Sequence, residues 1–354
     1  MSVTIDGSTG ITAPTYGGAV TAEYSVPVTG FKNRILNGQM VIDQRNAGAS
    51  TSVSSGTTFY GTDRFAGFFG ASATGCTSQQ STTAPTGFIN SFKFAVGTGA
   101  SSSAGQSAWV GQKIEGLNVS DLAWGSASAS TVTLSFWVYA SGTGTYCVNL
   151  QNSAGDRSYV ATYTISNANT WEQKTITVAG DTSGTWLTTT GIGINIRWDL
   201  GTGSTYNTST TSAWQAGDYR NTSAQKNVIG TSSATFYITG VQLEKGSTAT
   251  SFDYRPYGTE FMLCQRYYEN QPSNYLIFSG NVTSGFIYYA GVPFLVTKRA
   301  TPTITMSNGG TLNFPNTSPT AGSNSQPNGF QPFMTANGTG AGYFQFGYTA
   351  SAEL

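Results

Sequence analysis

Apolar and polar residues alternate with a period of two through much of this chain. In Thr131–Ala140, TVTLSFWVYA, Val132, Leu134, Phe136 and Val138 fall on one face. Thr133, Ser135, Trp137 and Tyr139 fall on the other. Such alternation predicts a strand with one face on a core. The same period recurs at Tyr146-Val148-Leu150, Tyr159-Ala161-Tyr163-Ile165, Ile176-Val178 and Ile192-Ile194-Ile196-Trp198. In Ala234–Glu244, ATFYITGVQLE, Gly240 interrupts it and predicts a β-bulge. Gly/Ser/Thr/Asn turns separate the strands, and no long helical pattern intervenes. The pattern predicts an all-β fold, an antiparallel β-sandwich of the jelly-roll kind.

The period changes at Pro256–Asn270, PYGTEFMLCQRYYEN. Phe261, Met262, Cys264, Gln265 and Tyr268 stand at helical spacing there, with Thr259 as the expected cap. The chain therefore divides into a Gly/Thr-rich arm over 1–30, a sandwich over 31–257, a linker helix over 258–270 and a small C-terminal β domain over 271–354. The loops Thr98–Ser107 and Gly201–Ser212 are long and uncharged. Loops of that length are functional or mobile.

Charge alters the picture by its scarcity. Only 9% of the 354 residues are charged, 16 basic and 16 acidic, with no histidine. An ordinary domain carries roughly 25%. Without a basic excess there is no footprint for nucleic acid. Without histidine there is no Ser-His-Asp triad, no Cys-His dyad and no histidine metal ligand. Aromatics at 13% argue against disorder. No charge occurs between Arg299 and Glu353. An exposed surface of that kind is poorly soluble, so the last domain is expected to hide itself in subunit contacts. No apolar run is long enough to span a membrane, and no secretory leader is expected. Cys76, Cys147 and Cys264 are odd in number and far apart, which fits free thiols and synthesis in a reducing cytoplasm.

Carboxylates offer the remaining route to acid–base chemistry. Asp199 and Asp218 flank the second long loop, but nothing in their spacing marks a catalytic pair. No dense acidic run marks a calcium loop, and no Gly-rich phosphate loop is present. The expectation is a non-enzyme with neither cofactor nor metal. Aromatics lead elsewhere. Trp137 and Tyr139 lie on the non-core face of their strand. Asn149, Asn195 and Arg197 join them there if the neighbouring strands align. Aromatic rings stack on the apolar faces of sugars while Asn and Arg bond hydroxyls. These five residues are the candidate glycan-binding set. The competing reading packs Trp137 beneath a loop.

Phe31–Arg45, FKNRILNGQMVIDQR, with Tyr60–Phe65, YGTDRF, resembles the opening of a module of bacteriophage tail-fibre and tail-spike proteins. Gly240–Glu260, GVQLEKGSTATSFDYRPYGTE, with Leu263–Glu269, LCQRYYE, resembles its close. Ile287–Ser307 resembles the small β domain that often follows. The resemblance implies a sandwich similar to carbohydrate-binding jelly rolls, carried on a virion and facing the host. It implies no catalytic residues. In the matching motifs, Asn33 and Asn37 suit turn hydrogen bonds. Arg34, Arg45, Asp63 and Arg64 are expected to form a buried polar network, with Asp253 and Arg255 locking the last strand to the helix. The function so implied is that of a structural tail-fibre or spike subunit, a homotrimer. Residues 1–30 would join it to other tail or baseplate proteins, and it would meet a host surface polysaccharide. A capsid decoration or head-fibre protein is the alternative. A polysaccharide depolymerase fits less well, because no solenoid repeat is visible.

Overall fold

Strands form where the alternation places them. The computed structural model describes residues 31–322 and 324–354, together with strands β1 (Ile5–Asp6) and β2 (Gly10–Ile11). Those two pair antiparallel, Ile5 opposite Ile11. The arm expected over 1–30 otherwise lies outside the described residues.

Two sheets are built from β3 (Thr51–Ser52), β4 (Thr58–Thr62), β5 (Phe65–Phe69), β6 (Thr77–Ser81), β7 (Ser91–Ala95), β8 (Ala108–Glu115) and β9 (Val132–Ala140), then β10 (Gly144–Gln151), β11 (Arg157–Ile165), β12 (Glu172–Val178), β13 (Ile192–Asp199), β14 (Trp214–Ala216) and β15 (Thr235–Lys245). The seven-stranded sheet runs β14-β11-β10-β13-β8-β5-β4, and the six-stranded sheet runs β12-β9-β15-β7-β6-β3. All their pairings are antiparallel. Val132, Leu134, Phe136 and Val138 of β9 are fully buried against Val148, Leu150, Ile196 and Trp198 of the facing sheet. Burial of each such side chain is worth about 1.5–3 kcal/mol. The Phe136 ring stands edge-on to Tyr163 and Trp198 at 5.2 and 5.3 Å. Cys76, Cys147 and Cys264 are buried free thiols.

Helix α1 (Tyr257–Gln265) follows the sandwich. It is shorter than the expected 258–270, because Tyr268 already belongs to a strand. Its cap is Pro256, and Thr259 lies within the helix. The proline ring presets φ for the first turn. Beyond it come β16 (Tyr268–Val282), β17 (Ile287–Tyr289), β18 (Val292–Pro293), β19 (Thr303–Leu312), β20 (Gly329–Phe330), β21 (Phe333–Thr335) and β22 (Gly340–Ser351). The order β16-β22-β19 makes a sheet, and β17-β21 and β18-β20 make two short pairs. Phe314, Phe330, Met334, Phe344 and Phe346 form a second core beside the first. Residues 32–354 nevertheless make one compact unit.

An ionic joint ties the two cores together. Glu115, at the end of β8, accepts Arg266 Nη2 at 2.6 Å, Arg266 Nε at 2.9 Å and the Tyr267 hydroxyl at 2.6 Å. Arg64 pairs with Glu353 and lies 3.6 Å over the Tyr267 ring. Arg45 is sandwiched between the Tyr60 and Tyr268 rings at 4.0 and 3.7 Å and reaches Glu353 at 3.1 Å. Lys298 and Glu269, both fully buried, pair at 2.6 Å.

The expected network of motif charges is real in part and needs correction in part. Arg45, Asp63 and Arg64 meet in this joint. Arg34 does not: it pairs with Asp121 at 2.8 Å near the surface, because the 118–121 turn lies above it. Arg255 pairs with Glu260 of α1 at 3.2 Å, and Asp253 Oδ2 accepts the Lys32 and Asn33 amides. Asn33 and Asn37 bond neighbouring main chain. The Asn33 amide donates to the Val241 carbonyl at 3.0 Å, and that of Asn37 to the Ile42 and Asp63 carbonyls at 2.8 Å each.

Asp63 is buried, accepting Gln44 Nε2 at 2.5 Å and Arg45 Nη1 at 3.4 Å. Desolvation outweighs these partners and pushes its carboxyl up to about 6. The folded state thus holds a proton that the unfolded state has released. Stability contributed by this group is present below its unfolded value of 3.8 and is lost as pH rises to about 6. We expect denaturant unfolding to record a loss on the order of 2 kcal/mol over that interval from this residue. Asp63→Asn should lack that component; an unchanged pH profile would refute the assignment.

Candidate functional site

The outer face of the six-stranded sheet is aromatic. Tyr237 of β15 stands opposite Tyr139 of β9, and Lys93 of β7 opposite Tyr237. Gln79 of β6 stands opposite Lys93 and extends the row. Trp171, just before β12, closes it: its ring lies 5.5 Å from Tyr139, which lies 5.0 Å from Tyr237. Lys93 Nζ sits 5.6 Å over the Tyr237 ring. In the next row Trp137 lies between Gln173 of β12 and Thr239 of β15. Trp137, Tyr139, Trp171 and Lys93 are half-buried, with part of each surface open to solvent.

The Gly240 bulge shapes this face. The register slips between Thr239 and Gln242, and Gly240 takes φ +59°. A Cβ there would meet Phe88 Cζ at 2.7 Å and Trp137 Cδ1 at 3.0 Å. Phe88 continues into a cluster with Phe252 and Tyr254, ring centres 5.1 and 5.7 Å away. Aromatic surface therefore extends from Trp171 past Trp137 to Tyr254.

Asn149, Asn195 and Arg197 do not share this face. They lie on β10 and β13 of the other sheet, so the five expected residues split between the two outer faces. Asn149 and Asn195 are buried, Asn149 beneath the segment that follows β14. Asn149 Nδ2 donates to the Tyr219 carbonyl at 3.4 Å, and Gln151 Nε2 to Asp218 at 2.7 Å. Arg197 donates to Gln151 Oε1 at 2.6 Å and lies 5.1 Å from the Trp109 ring. Burial, with Arg220 close by, lowers the Arg197 guanidinium to about 10. Asp218 pairs with Arg220 at 2.7 Å. These groups anchor a loop over the sheet.

Three further tryptophans are structural. Trp124, Trp186 and Trp214 form a triangle with ring centres 4.7–5.2 Å apart. Each indole N–H reaches a main-chain carbonyl: Ser130, Ser183 and Ala179 respectively.

The two long loops meet. Gly203 N donates to the Gln106 carbonyl at 2.8 Å and Thr205 N to that of Ala104 at 2.9 Å. Ser102, Gly201–Ser204, Asn207, Asn221–Ser223, Gln225 and Asn227 line a polar pocket of about 280 Å³ beside them. Asp199 is buried at the end of β13, next to this pocket, and desolvation pushes its carboxyl up to about 6. Among the described residues no group of three or more His, Cys, Asp or Glu gathers as a metal cluster.

Periodicity revealed Trp137 and Tyr139 but passed over Trp171, Tyr237 and Lys93. The same signal was present for two of these. Trp171 precedes the alternating EQKTITV, and Tyr237 alternates with Phe236 and Ile238.

No protein-family model matches this chain, nor does any curated protein. Solved structures are similar to it. The enzymatically active domain of bacteriophage CBA120 tailspike protein 4 is 13% identical over 60% of this chain and 21% of that chain, with a TM-score of 0.29. A CBM4 structure is 16% identical over 59% of this chain and 98% of its own, at 0.28. A family 11 carbohydrate-binding module from Clostridium thermocellum, solved with a mixed-linked tetrasaccharide, is 12% identical over 56% and 98%, at 0.29. Neither the identities nor the TM-scores carry a ligand over to this chain.

Gly240→Ala should destabilise the fold by at least the left-handed cost of about 1–2 kcal/mol, read by urea unfolding. Gly105→Ala, with open space around its Cβ, should stay within about 0.5 kcal/mol of the parent. Equal effects of the two would mean that the close approach at Gly240 is unimportant.

Proposed function

We propose that this chain is a non-catalytic, glycan-binding subunit of a phage tail fibre or spike. The observation that carries glycan binding is the row Trp171–Tyr139–Tyr237, in which Trp171 and Tyr139 are part-exposed and the buried Tyr237 backs them, flanked by Lys93, Gln79 and Gln173. Flat rings take the C–H faces of sugars, and the amides and the ammonium bond their hydroxyls. On the opposite sheet, Asn149 and Gln151 are engaged by the covering loop. The phage assignment is supported by the FKNRILNGQMVIDQR and LCQRYYE motifs. In this reading residues 1–30 join the subunit to the tail, and the sandwich presents its aromatic face to a host polysaccharide.

The reading includes a homotrimer held by the C-terminal sheets. Ile277, Phe286, Ile287, Tyr289, Leu295 and Leu312 are exposed there. Lys298 and Arg299 are the only charges between Asn270 and Ala352. Both are turned inward, Lys298 onto Glu269 and Arg299 onto the Ala352 and Glu353 carbonyls. An uncharged surface with that many apolar side chains is stabilised by a like surface.

On a glycan array, and then by affinity electrophoresis with the captured polysaccharide, Tyr139→Ala and Trp171→Ala should weaken binding at least tenfold, about 1.4 kcal/mol. Their melting temperatures should stay near the parent's. Binding unaffected by both changes would remove this face from the proposal. Light scattering should give three times the chain mass of 37.2 kDa for the parent and less for Phe286→Asp/Leu295→Asp. A monomeric parent would end the trimer reading.

A further inference from the structure

The polar pocket beside residues 199–227 contains acceptors that no protein group satisfies. Asp199 Oδ1 accepts the Gly201 and Thr202 amides at 2.8 and 3.0 Å and Asn221 Nδ2 at 3.4 Å. Its Oδ2 is buried without a hydrogen-bond partner, as are Asn221 Oδ1 and Gln225 Oε1. Neither amide can be turned over to relieve this. Asn221 Nδ2 donates to the Thr202 carbonyl at 2.8 Å. Gln225 Nε2 donates to the Asp199 and Lys226 carbonyls at 2.9 and 3.0 Å. A flip would set oxygen against oxygen. These same bonds fasten Asn221 to the Asp199 side chain and Gln225 to the Asp199 main chain. Ser102 Oγ, also buried and unpartnered, lines the pocket from the facing loop.

Leaving a buried acceptor unpaired costs about 1–3 kcal/mol, and more when it is charged. Asp199 is met by neutral donors, with no cationic side chain among them. One carboxylate and two amide oxygens, with the Ser102 hydroxyl as a further oxygen at the pocket wall, are the ligand chemistry of a hard cation. A sugar ring does not fit this role. Asp199 is only 1% exposed, at a depth that a bare ion reaches and a pyranose does not. Cys147 Sγ, the nearest soft ligand, is engaged with Thr222 Oγ1 at 3.7 Å.

We propose that Asp199 Oδ2, Asn221 Oδ1 and Gln225 Oε1 bind a calcium ion, which pins the 201–227 segment over the seven-stranded sheet. Calcium accepts an irregular shell of oxygens and waters, whereas magnesium demands a near-ideal octahedron. A single carboxylate makes a weak site, with Kd on the order of 10⁻⁴–10⁻³ M, the range of extracellular modules. The ion would neutralise the one buried charge of the pocket. It would also complete the anchorage of the loop that covers Asn149.

The test uses the full chain stripped with EDTA and titrated with calcium chloride alone. Calorimetry should record one site per chain. The melting temperature should rise by about 2–4 °C when calcium exceeds Kd roughly tenfold. Magnesium at the same concentration should give a clearly smaller rise. Asp199→Asn keeps the shape and removes the buried charge, so it should fold and lose the calcium response. Ser102→Asp adds a carboxylate at the pocket wall without breaking any of these bonds and should tighten binding about tenfold, a gain that no folding defect imitates. Absence of heat and of any melting shift in the parent overturns the proposal, because water then suffices for these oxygens. A calcium response that survives in both variants unchanged overturns it too, by placing the ion elsewhere.

Discussion

The arrangement depends on a carboxylate, Glu353, that returns from the far end of the chain to two arginines near the start of the sandwich. Arg64 and Arg45 both bind it, while their guanidinium planes rest on Tyr267, Tyr60 and Tyr268. Three residues that follow α1, Arg266, Tyr267 and Tyr268, thereby become fixed against the seven-stranded sheet. From there β16 runs on, and β22 pairs along it to bring Glu353 back. The joint is thus a closed circuit: sandwich, helix, C-terminal sheet, sandwich. A buried ion pair is weak evidence for stability, yet losing one partner is costly. In a chain with so few charges, Asp63, Arg64, Glu115, Glu269 and Lys298 are buried together at this seam, where their geometry selects one relative placement of the two cores.

That placement leaves the sandwich with two unlike outer faces. The seven-stranded sheet is covered at one end by the C-terminal tail, where Lys113 Nζ donates to the Leu354 carbonyl at 2.7 Å. It is covered at the other by the loop that Asp218, Arg220 and Tyr219 fasten down. The six-stranded sheet keeps Trp171, Tyr139 and Trp137 part-exposed. Its strands carry the same period-two pattern, but its outward residues are Tyr, Trp, Lys and Gln. Gly240 matters here for a steric reason: the backbone passes so close to Phe88 and Trp137 that a side chain would push the rings out of the plane of the face.

Much of this was legible in the alternation of residues. Inner and outer sides of β9, β13 and β15 follow directly from the period, and so does the bulge at Gly240. Sheet membership did not follow, because period two says which way a side chain points and nothing about which strand lies alongside. Strands β9 and β10 are joined by a short turn yet belong to different sheets, so Trp137 and Asn149 face opposite sides of the molecule. Partner choice among charges was hidden for a similar reason. Arg34, Arg45 and Arg64 lie close in sequence, but Asp121, which Arg34 binds, and Glu353, which Arg45 and Arg64 bind, lie about ninety and three hundred positions on. The helix boundary failed more locally: helical spacing ran on through Tyr268, while Arg266 and Tyr267 were claimed by Glu115.

The two halves of the proposed function rest on the same economy of charge. A glycan without charge is recognised by rings and neutral donors, and a face lined by Tyr, Trp and Gln offers those with only Lys93 added. A like-with-like subunit contact needs surfaces that do not repel, and the C-terminal unit achieves this by turning Lys298 and Arg299 inward. The same economy makes Asp199 stand out. Glu115, Glu269 and Glu353 each find an arginine or a lysine. Asp199 has neutral donors on one oxygen and no hydrogen-bond partner on the other. A fold that spends its cations so sparingly, and leaves this one anion beside two free amide oxygens, is built to take its positive charge from solution.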